Sequence, residues 1–180
     1  MHHVNATASR RSLRIAAALS ALVAAWPLAA APAHAAGATS ATCAARLTPT
    51  IAPGFTMTPG TGVITTNGQT GALSCVGKIG GNRITGPGSV GVDYVYTTGA
   101  ACASHTGAGT LRVTLPTTAG AKRMVGAFTI QRTALAIRSQ ARFADAGMSG
   151  IGVALPTQGN CFVTPLERVL IVVNASISGV

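Results

Sequence analysis

The stretch SVGVDYVY, at residues 89–96, places apolar side chains at every second position. The apolar members are Val90, Val92, Tyr94 and Tyr96. Successive side chains of an extended chain point to opposite faces of a sheet, so these four share one face. The alternation therefore predicts a β-strand that is buried on one side and faces solvent on the other.

Seven other stretches show strand patterns. They lie at residues 63–66, 73–79, 111–115, 124–130, 135–143, 151–155 and 169–177. Residues 134–146 contain residue types that favour a helix, but their apolar positions repeat at two rather than at three and four. We therefore predict an all-β fold, an antiparallel β-sandwich or small barrel of about eight strands.

One dipeptide predicts how two of these strands are connected. Asn67-Gly68 is typical of a type I′ turn, which needs positive φ at both central residues. It follows the strand at residues 63–66 and precedes the strand at residues 73–79. We expect the two strands to form an antiparallel hairpin.

Residues 1–35 have the three parts of an export signal. Arg10, Arg11 and Arg14 give the segment a positive N-terminal part, an apolar run follows at residues 15–31, and Ala33-His34-Ala35 matches the small-x-small pattern of a signal peptidase site. We expect cleavage after Ala35 and a secreted protein, extracellular or associated with the cell envelope. The pair Arg10-Arg11 leaves both twin-arginine and general secretory export open. No later stretch approaches 18 apolar residues, so no transmembrane segment is predicted.

The remaining chain is predicted to comprise a flexible arm at residues 36–42 and a single β domain at residues 43–180. Its four cysteines are Cys43, Cys75, Cys102 and Cys161. An even number of cysteines in an exported chain indicates two disulfides. Three pairings are possible, and we prefer Cys43 with Cys75 and Cys102 with Cys161. The second pair stands in loops rich in Gly, Asn and Ser.

The chain is poor in residues that perform acid–base or metal chemistry. Only three carboxylates exist, Asp93, Asp145 and Glu167, and His105 is the one histidine after the leader. Ser104 precedes His105 directly, so in an extended chain their side chains point in opposite directions. No G-x-S-x-G or CxxC motif is present. We predict no metal, no cofactor and a non-catalytic protein, with a secreted hydrolase as the less favoured reading.

The excess of positive charge predicts a ligand class. Ten basic residues follow the leader against three acids. Arg138 and Arg142 fall on one strand face with Gln140 between them, and Arg112 and Arg132 are expected to extend that face. Such a surface suits an anionic cell-wall polymer or lipid headgroups. A basic surface that only keeps the protein soluble is the simpler alternative, and no nucleic-acid motif is present.

A third reading is a β-barrel that encloses a small apolar ligand. Tyr94, Tyr96, Phe128 and Phe143 alternate toward the interior, and the abundant glycines leave space beside them. A filled core explains the same residues. The two readings differ in the volume left inside the barrel.

Four segments resemble small secreted all-β proteins of high-GC Gram-positive bacteria. They are CAARLTPTIAPGFTMTP (residues 43–59), ACASHTGAG (101–109), GAFTIQR (126–132) and GNCFVTPLERV (159–169). The resemblance covers most of residues 43–178. It implies the all-β fold and export, and it implies no activity.

Overall fold

The computed structural model describes residues 37–179, without the side chains of residues 98 and 99. The predicted signal peptide and its cleavage site lie outside this range. The described chain is all β. Its strands are β1 (Thr39–Leu47), β2 (Thr50–Phe55), β3 (Gly60–Thr65), β4 (Gly71–Ile79), β5 (Asn82–Arg83), β6 (Gly88–Ala100), β7 (Ser104–Thr117), β8 (Gly120–Thr133), β9 (Ala136–Arg142), β10 (Gly147–Gln158) and β11 (Leu166–Gly179).

All strands belong to one antiparallel sheet that closes on itself. The long strand β11 pairs with both β1 and β2, and the long strand β6 pairs with both β3 and β4. Two successive strands therefore pair along one long strand in each case: β1 and β2 along β11, and β3 and β4 along β6. Pairing between β10 and β11 completes a ring through eight strands. The prediction of an all-β fold is confirmed, and the closure makes it a barrel.

Alternate side chains fill the inside of the barrel. On β9, Ile137, Ser139 and Ala141 are buried while their neighbours are exposed. Eight strands leave an interior that either is filled by side chains or holds one small ligand. The interior cavity is about 50 Å³ in volume and lies among aliphatic and aromatic side chains. This is well below the roughly 300–1,000 Å³ of ordinary small-molecule sites.

Inward-facing glycines provide room for the large aromatic rings. A Cβ placed on Gly107 would lie 2.5 Å from the ring of Tyr94, and one on Gly126 would lie 2.7 Å from the ring of Phe143. Both distances are too short for real atoms. Gly107 and Gly126 thus lie where large and small interior residues must alternate in a narrow barrel.

The prediction that the strands on either side of Asn67-Gly68 form a hairpin is wrong, although the predicted turn is present. Asn67 and Gly68 have φ values of 50° and 73°, as a type I′ turn requires. However, β3 and β4 run in the same direction and both pair with β6. The turn therefore connects two strands that both pair with the long strand β6 and not with each other.

The β domain begins before the predicted boundary at Cys43, because β1 starts at Thr39. Residues 39–42, assigned above to a flexible arm, form the first half of β1 and pair with β11 on one side. Residues 40–42 also pair with β4 on the other side. The physical reason is that β11 would otherwise have a free edge at this end of the barrel. The helical alternative at residues 134–146 is wrong, since β9 lies within it.

The cysteines pair as preferred. Cys43 and Cys75 are directly opposite each other on β1 and β4, with their Cα atoms 4.1 Å apart. Cys102 and Cys161 join two loops at one end of the barrel, with their Cα atoms 6.1 Å apart. Disulfides of this kind form in an oxidising compartment. Among residues 37–179, no helix is long and apolar enough to cross a membrane.

Candidate functional site

Three of the predicted binding residues lie together on the outside of the barrel. Arg138, Gln140 and Arg142 are exposed on β9. The two arginines are four residues apart, so their Cα atoms are separated by roughly 13 Å along the strand. Gln140 lies midway between them.

A row of polar side chains crosses the barrel wall at the level of Gln140. We call this set the polar row: Thr129, Gln140, Ser149, Ser176 and Thr42. Its members lie on five neighbouring strands, each directly opposite the next, and all are exposed. With about 4.8 Å between strands, the polar row is roughly 19 Å long. It presents hydroxyl and amide groups along its whole length.

A shallow hollow lies on each side of the polar row. The two hollows have volumes of about 500 and 470 Å³ and share Gln140 and Ser149. Arg142 lines the first hollow and Arg138 lines the second. The first hollow also contains Gly147, where the nearest atom to an added Cβ is 4.0 Å away. Small side chains on β10 and β11 therefore leave a depression that has an arginine on either side.

Arg112 lies on the outer surface as predicted but already has a partner. Its guanidinium forms an ion pair with Asp93, which also accepts a hydrogen bond from Thr65. Partial burial raises the pKa of Asp93, but the hydrogen bonds from Thr65 and Arg112 outweigh burial and bring the net pKa below its ordinary value. Asp93 thus offsets the charge of Arg112. Arg112 lies two strands away from Arg142, on β7.

The prediction that Arg132 extends the basic face is wrong, because Arg132 points into the barrel. It is 5% exposed and lies directly opposite His105 on β7 and Ile137 on β9. On β8 the even-numbered residues face inward, and Arg132 follows Phe128 and Ile130 in that series. The alternation of apolar residues along this stretch of sequence therefore already indicates that Arg132 faces inward.

Arg132 belongs to a buried group that the sequence did not reveal. We call Tyr94, His105 and Arg132 the buried cationic corner. The Arg132 Nε donates to the carbonyl of Ala134 at 2.8 Å, and the Tyr94 hydroxyl lies 3.3 Å from His105 Nε2. The ring of Phe55 lies 4.7 Å from that of His105. Burial, assisted by the charge of Arg132, lowers the pKa of His105 to about 4. Burial also raises the pKa of Tyr94.

The buried cationic corner borders a cleft of about 240 Å³. The cleft lies where β6 and β7 separate, just beyond their last paired residues, Tyr96 and Gly107. Its walls contain His105 and Arg132 from the interior and hydroxyl side chains from the outer surface. Those hydroxyl residues are Thr97, Ser104, Thr106 and Thr133.

The three carboxylates are all engaged away from His105. Asp93 binds Arg112, Asp145 binds Lys122 at 3.3 Å, and Glu167 accepts a hydrogen bond from Gln158 at 2.7 Å. Ser104 is exposed while His105 is buried, so their side chains face opposite sides of β7. Within residues 37–179, no three His, Cys, Asp or Glu side chains cluster as metal ligands do. The described residues therefore do not assemble a Ser–His–carboxylate triad.

One loop presents apolar side chains to solvent. Phe162 and Val163 are 82% and 85% exposed. The backbone N–H groups of residues 162, 163 and 164 donate to the Asn160 side-chain oxygen. The disulfide from Cys161 to Cys102 anchors the same loop. We call Phe162 and Val163 the apolar tip.

Comparison of the chain with protein-family models, curated proteins and solved structures gave no match. The resemblance to small secreted all-β proteins stays a prediction.

Proposed function

We propose that the protein is a secreted, non-catalytic binding protein, and that its polar row holds an anionic polymer of the cell envelope. The observation that carries this proposal is the polar row with Arg138 and Arg142 beside it. Secretion is supported by the leader pattern of residues 1–35, with cleavage after Ala35, and by the two disulfides. A rigid barrel suits this task because the binding groups are fixed before the ligand arrives.

The chemistry of the surface favours a polymer that carries both hydroxyl and acidic groups. Ser, Thr and Gln side chains donate to and accept from hydroxyl groups. Arginine binds phosphate and carboxylate through two parallel hydrogen bonds. The polar row is long enough for several repeating units of a polyol phosphate or an acidic polysaccharide to contact it at once. Each contact can then be weak while the whole polymer is held.

The aromatic residues make a single-stranded nucleic acid a poor ligand. Proteins that hold single strands stack bases on exposed aromatic rings. Of the aromatic side chains in the described part of the chain, only Phe162 is exposed. The others are buried in the core: Phe55, Tyr94, Tyr96, Phe128 and Phe143. The outer face therefore offers charge and hydrogen bonds without stacking surfaces.

The test compares binding to poly(glycerol phosphate) and polygalacturonate with binding to neutral dextran. The double variant Arg138→Glu with Arg142→Glu should lose at least about tenfold in affinity for the anionic polymers. The control is Arg83→Glu with Arg168→Glu, which changes the net charge equally at exposed positions away from the polar row. Wild-type binding should fall steeply with added salt. Equal losses in both double variants would show that only net charge matters and would overturn the proposal.

We also propose a second function that the apolar tip favours, attachment to an anionic lipid surface. Exposed Phe and Val side chains at the end of an anchored loop can enter the headgroup region of a bilayer, while basic residues attract its charge. Binding to vesicles of phosphatidylglycerol should fall about tenfold or more in Phe162→Ser with Val163→Ser. Val76→Ser, which also removes an exposed apolar side chain, is the matched control. Unchanged vesicle binding in the tip variant would exclude this function.

A further inference from the structure

The buried cationic corner contains two nitrogen atoms without a hydrogen-bond partner. Arg132 Nη1 and His105 Nδ1 are both buried and make no hydrogen bond to any described residue. Their side chains are 5% and 6% exposed. Buried polar atoms in native proteins are almost always paired, and an unpaired buried donor on a charged group is especially costly. These two atoms therefore call for a ligand or a structural explanation.

No carboxylate of the described chain can neutralise Arg132. The chain has three acids, and each is bound elsewhere: Asp93 by Arg112, Asp145 by Lys122 and Glu167 by Gln158. The Nε atom of Arg132 donates to a backbone carbonyl, which carries no formal charge. The guanidinium of Arg132 therefore has no acidic partner, although its side chain is more than nine-tenths buried.

We infer that the buried cationic corner is a binding site for a small oxyanion, namely a phosphate or a short carboxylate. Both nitrogens are closed to solvent in this structure, so an anion that enters from the adjoining cleft reaches them when these side chains shift toward it, and Arg132 Nη1 and His105 Nδ1 then both donate to it. In this arrangement the Tyr94 hydroxyl donates to His105 Nε2, so the ring proton lies on Nδ1.

The size of the cleft sets the size of the ligand. The cleft has a volume of about 240 Å³, which is enough for inorganic phosphate or a carboxylate of a few carbon atoms. It shares no lining residue with the two hollows beside the polar row. The site is therefore separate from the polar row and does not depend on the proposed function.

The test is thermal unfolding of the secreted, disulfide-intact protein in sodium phosphate or sodium acetate, each against sodium chloride at equal ionic strength. At about ten times the dissociation constant, the favoured anion should raise the Tm by about 4 °C. Phosphate and acetate serve as separate arms, so the response also tells which oxyanion the site prefers. Arg132→Met should abolish the shift, whereas Arg123→Met, an exposed arginine on the same strand, should keep it.

A second measurement does not depend on the folding of a variant. The ¹⁵N signal of His105 Nδ1, followed by NMR in the wild-type protein, should move on titration with the anion and saturate. An unchanged Tm and an unmoved Nδ1 signal with both anions would overturn the inference. So would an Arg132→Met variant that responds as the wild type does. Arg138→Glu with Arg142→Glu should leave both responses intact, which separates this site from polymer binding.

Discussion

His105 and Arg132 lie directly opposite each other on neighbouring strands, and both side chains point into the barrel. A base and a permanent cation thus share a buried site from which every acid of the described chain is absent. The arrangement favours the neutral form of the imidazole, because protonation would place two positive charges side by side away from water. It makes this end of the barrel sensitive to pH and to anions.

Stability should fall as the pH drops from about 6.5 to 4. The pKa of His105 is about 4 in the folded protein against an ordinary 6.5, so the unfolded chain binds the proton more readily in this window. The stabilisation is complete above pH 6.5 and is lost toward pH 4, by about 3 kcal/mol at most. Urea unfolding across this range, in the wild type and in His105→Gln, measures it. A variant with the same slope as the wild type would contradict the assignment to His105.

Gly107→Ala should destabilise the barrel by about 2 kcal/mol through overpacking. The added methyl group would collide with the ring of Tyr94, which lies in the barrel interior directly beside Gly107. Gly60→Ala is the control, since a Cβ there meets no atom within 4 Å. Chemical denaturation should show a loss only for Gly107→Ala. Equal stability of the two variants would show that the interior accommodates the change.

Gly147→Leu should block polymer binding while the fold is preserved. Gly147 lines the hollow beside Arg142 and has open space above its Cα atom, so a larger side chain occupies the ligand's place and not the protein core. We expect a loss of affinity for poly(glycerol phosphate) of about tenfold, equivalent to about 1.4 kcal/mol. Val76→Leu serves as a control at an exposed position outside both hollows. Retained affinity in Gly147→Leu would place the ligand elsewhere.

Removing the disulfide between the loops should lower stability and release the apolar tip. Cys102→Ser with Cys161→Ser opens a loop with a sequence separation of 59 residues. The chain-entropy estimate for such a loop is about 4 kcal/mol. Limited proteolysis should then cut near Phe162 faster than in the wild type, and denaturant unfolding gives the free energy. Unchanged cleavage would mean that the Asn160 hydrogen bonds alone hold the loop.

Local patterns predicted much of the fold because strand alternation is a local property. Residues 135–143 show it in the sequence, and β9 presents Arg138 and Gln140 to solvent as expected. The same alternation places Arg132 inside, since it continues the inward series of Phe128 and Ile130. The expectation that Arg132 is exposed came from treating charge as a sufficient sign of the surface. The alternation of inward and outward positions along the strand was the more reliable sign of where Arg132 points.

Contacts between distant residues were beyond the sequence. Asn67-Gly68 forms its turn, but whether the flanking strands pair with each other depends on β6, whose pairing positions are not visible near the turn. The polar row likewise brings Thr42 next to Ser176 although they are far apart in sequence. The register between neighbouring strands determines which side chains line up in such a row.

The sequence by itself determined an all-β chain, two disulfides and an excess of basic over acidic residues. Alternation, cysteine number and charge depend only on the identity and order of the residues and not on which strands pair. Only the tertiary structure decided that the sheet closes and that Arg138 and Arg142 flank a polar row. It also decided that Arg132 and His105 meet without an acid. The physical reason is that ring closure and strand register are set by pairing between residues far apart in the chain. Closure then fixes which side chains lose contact with water.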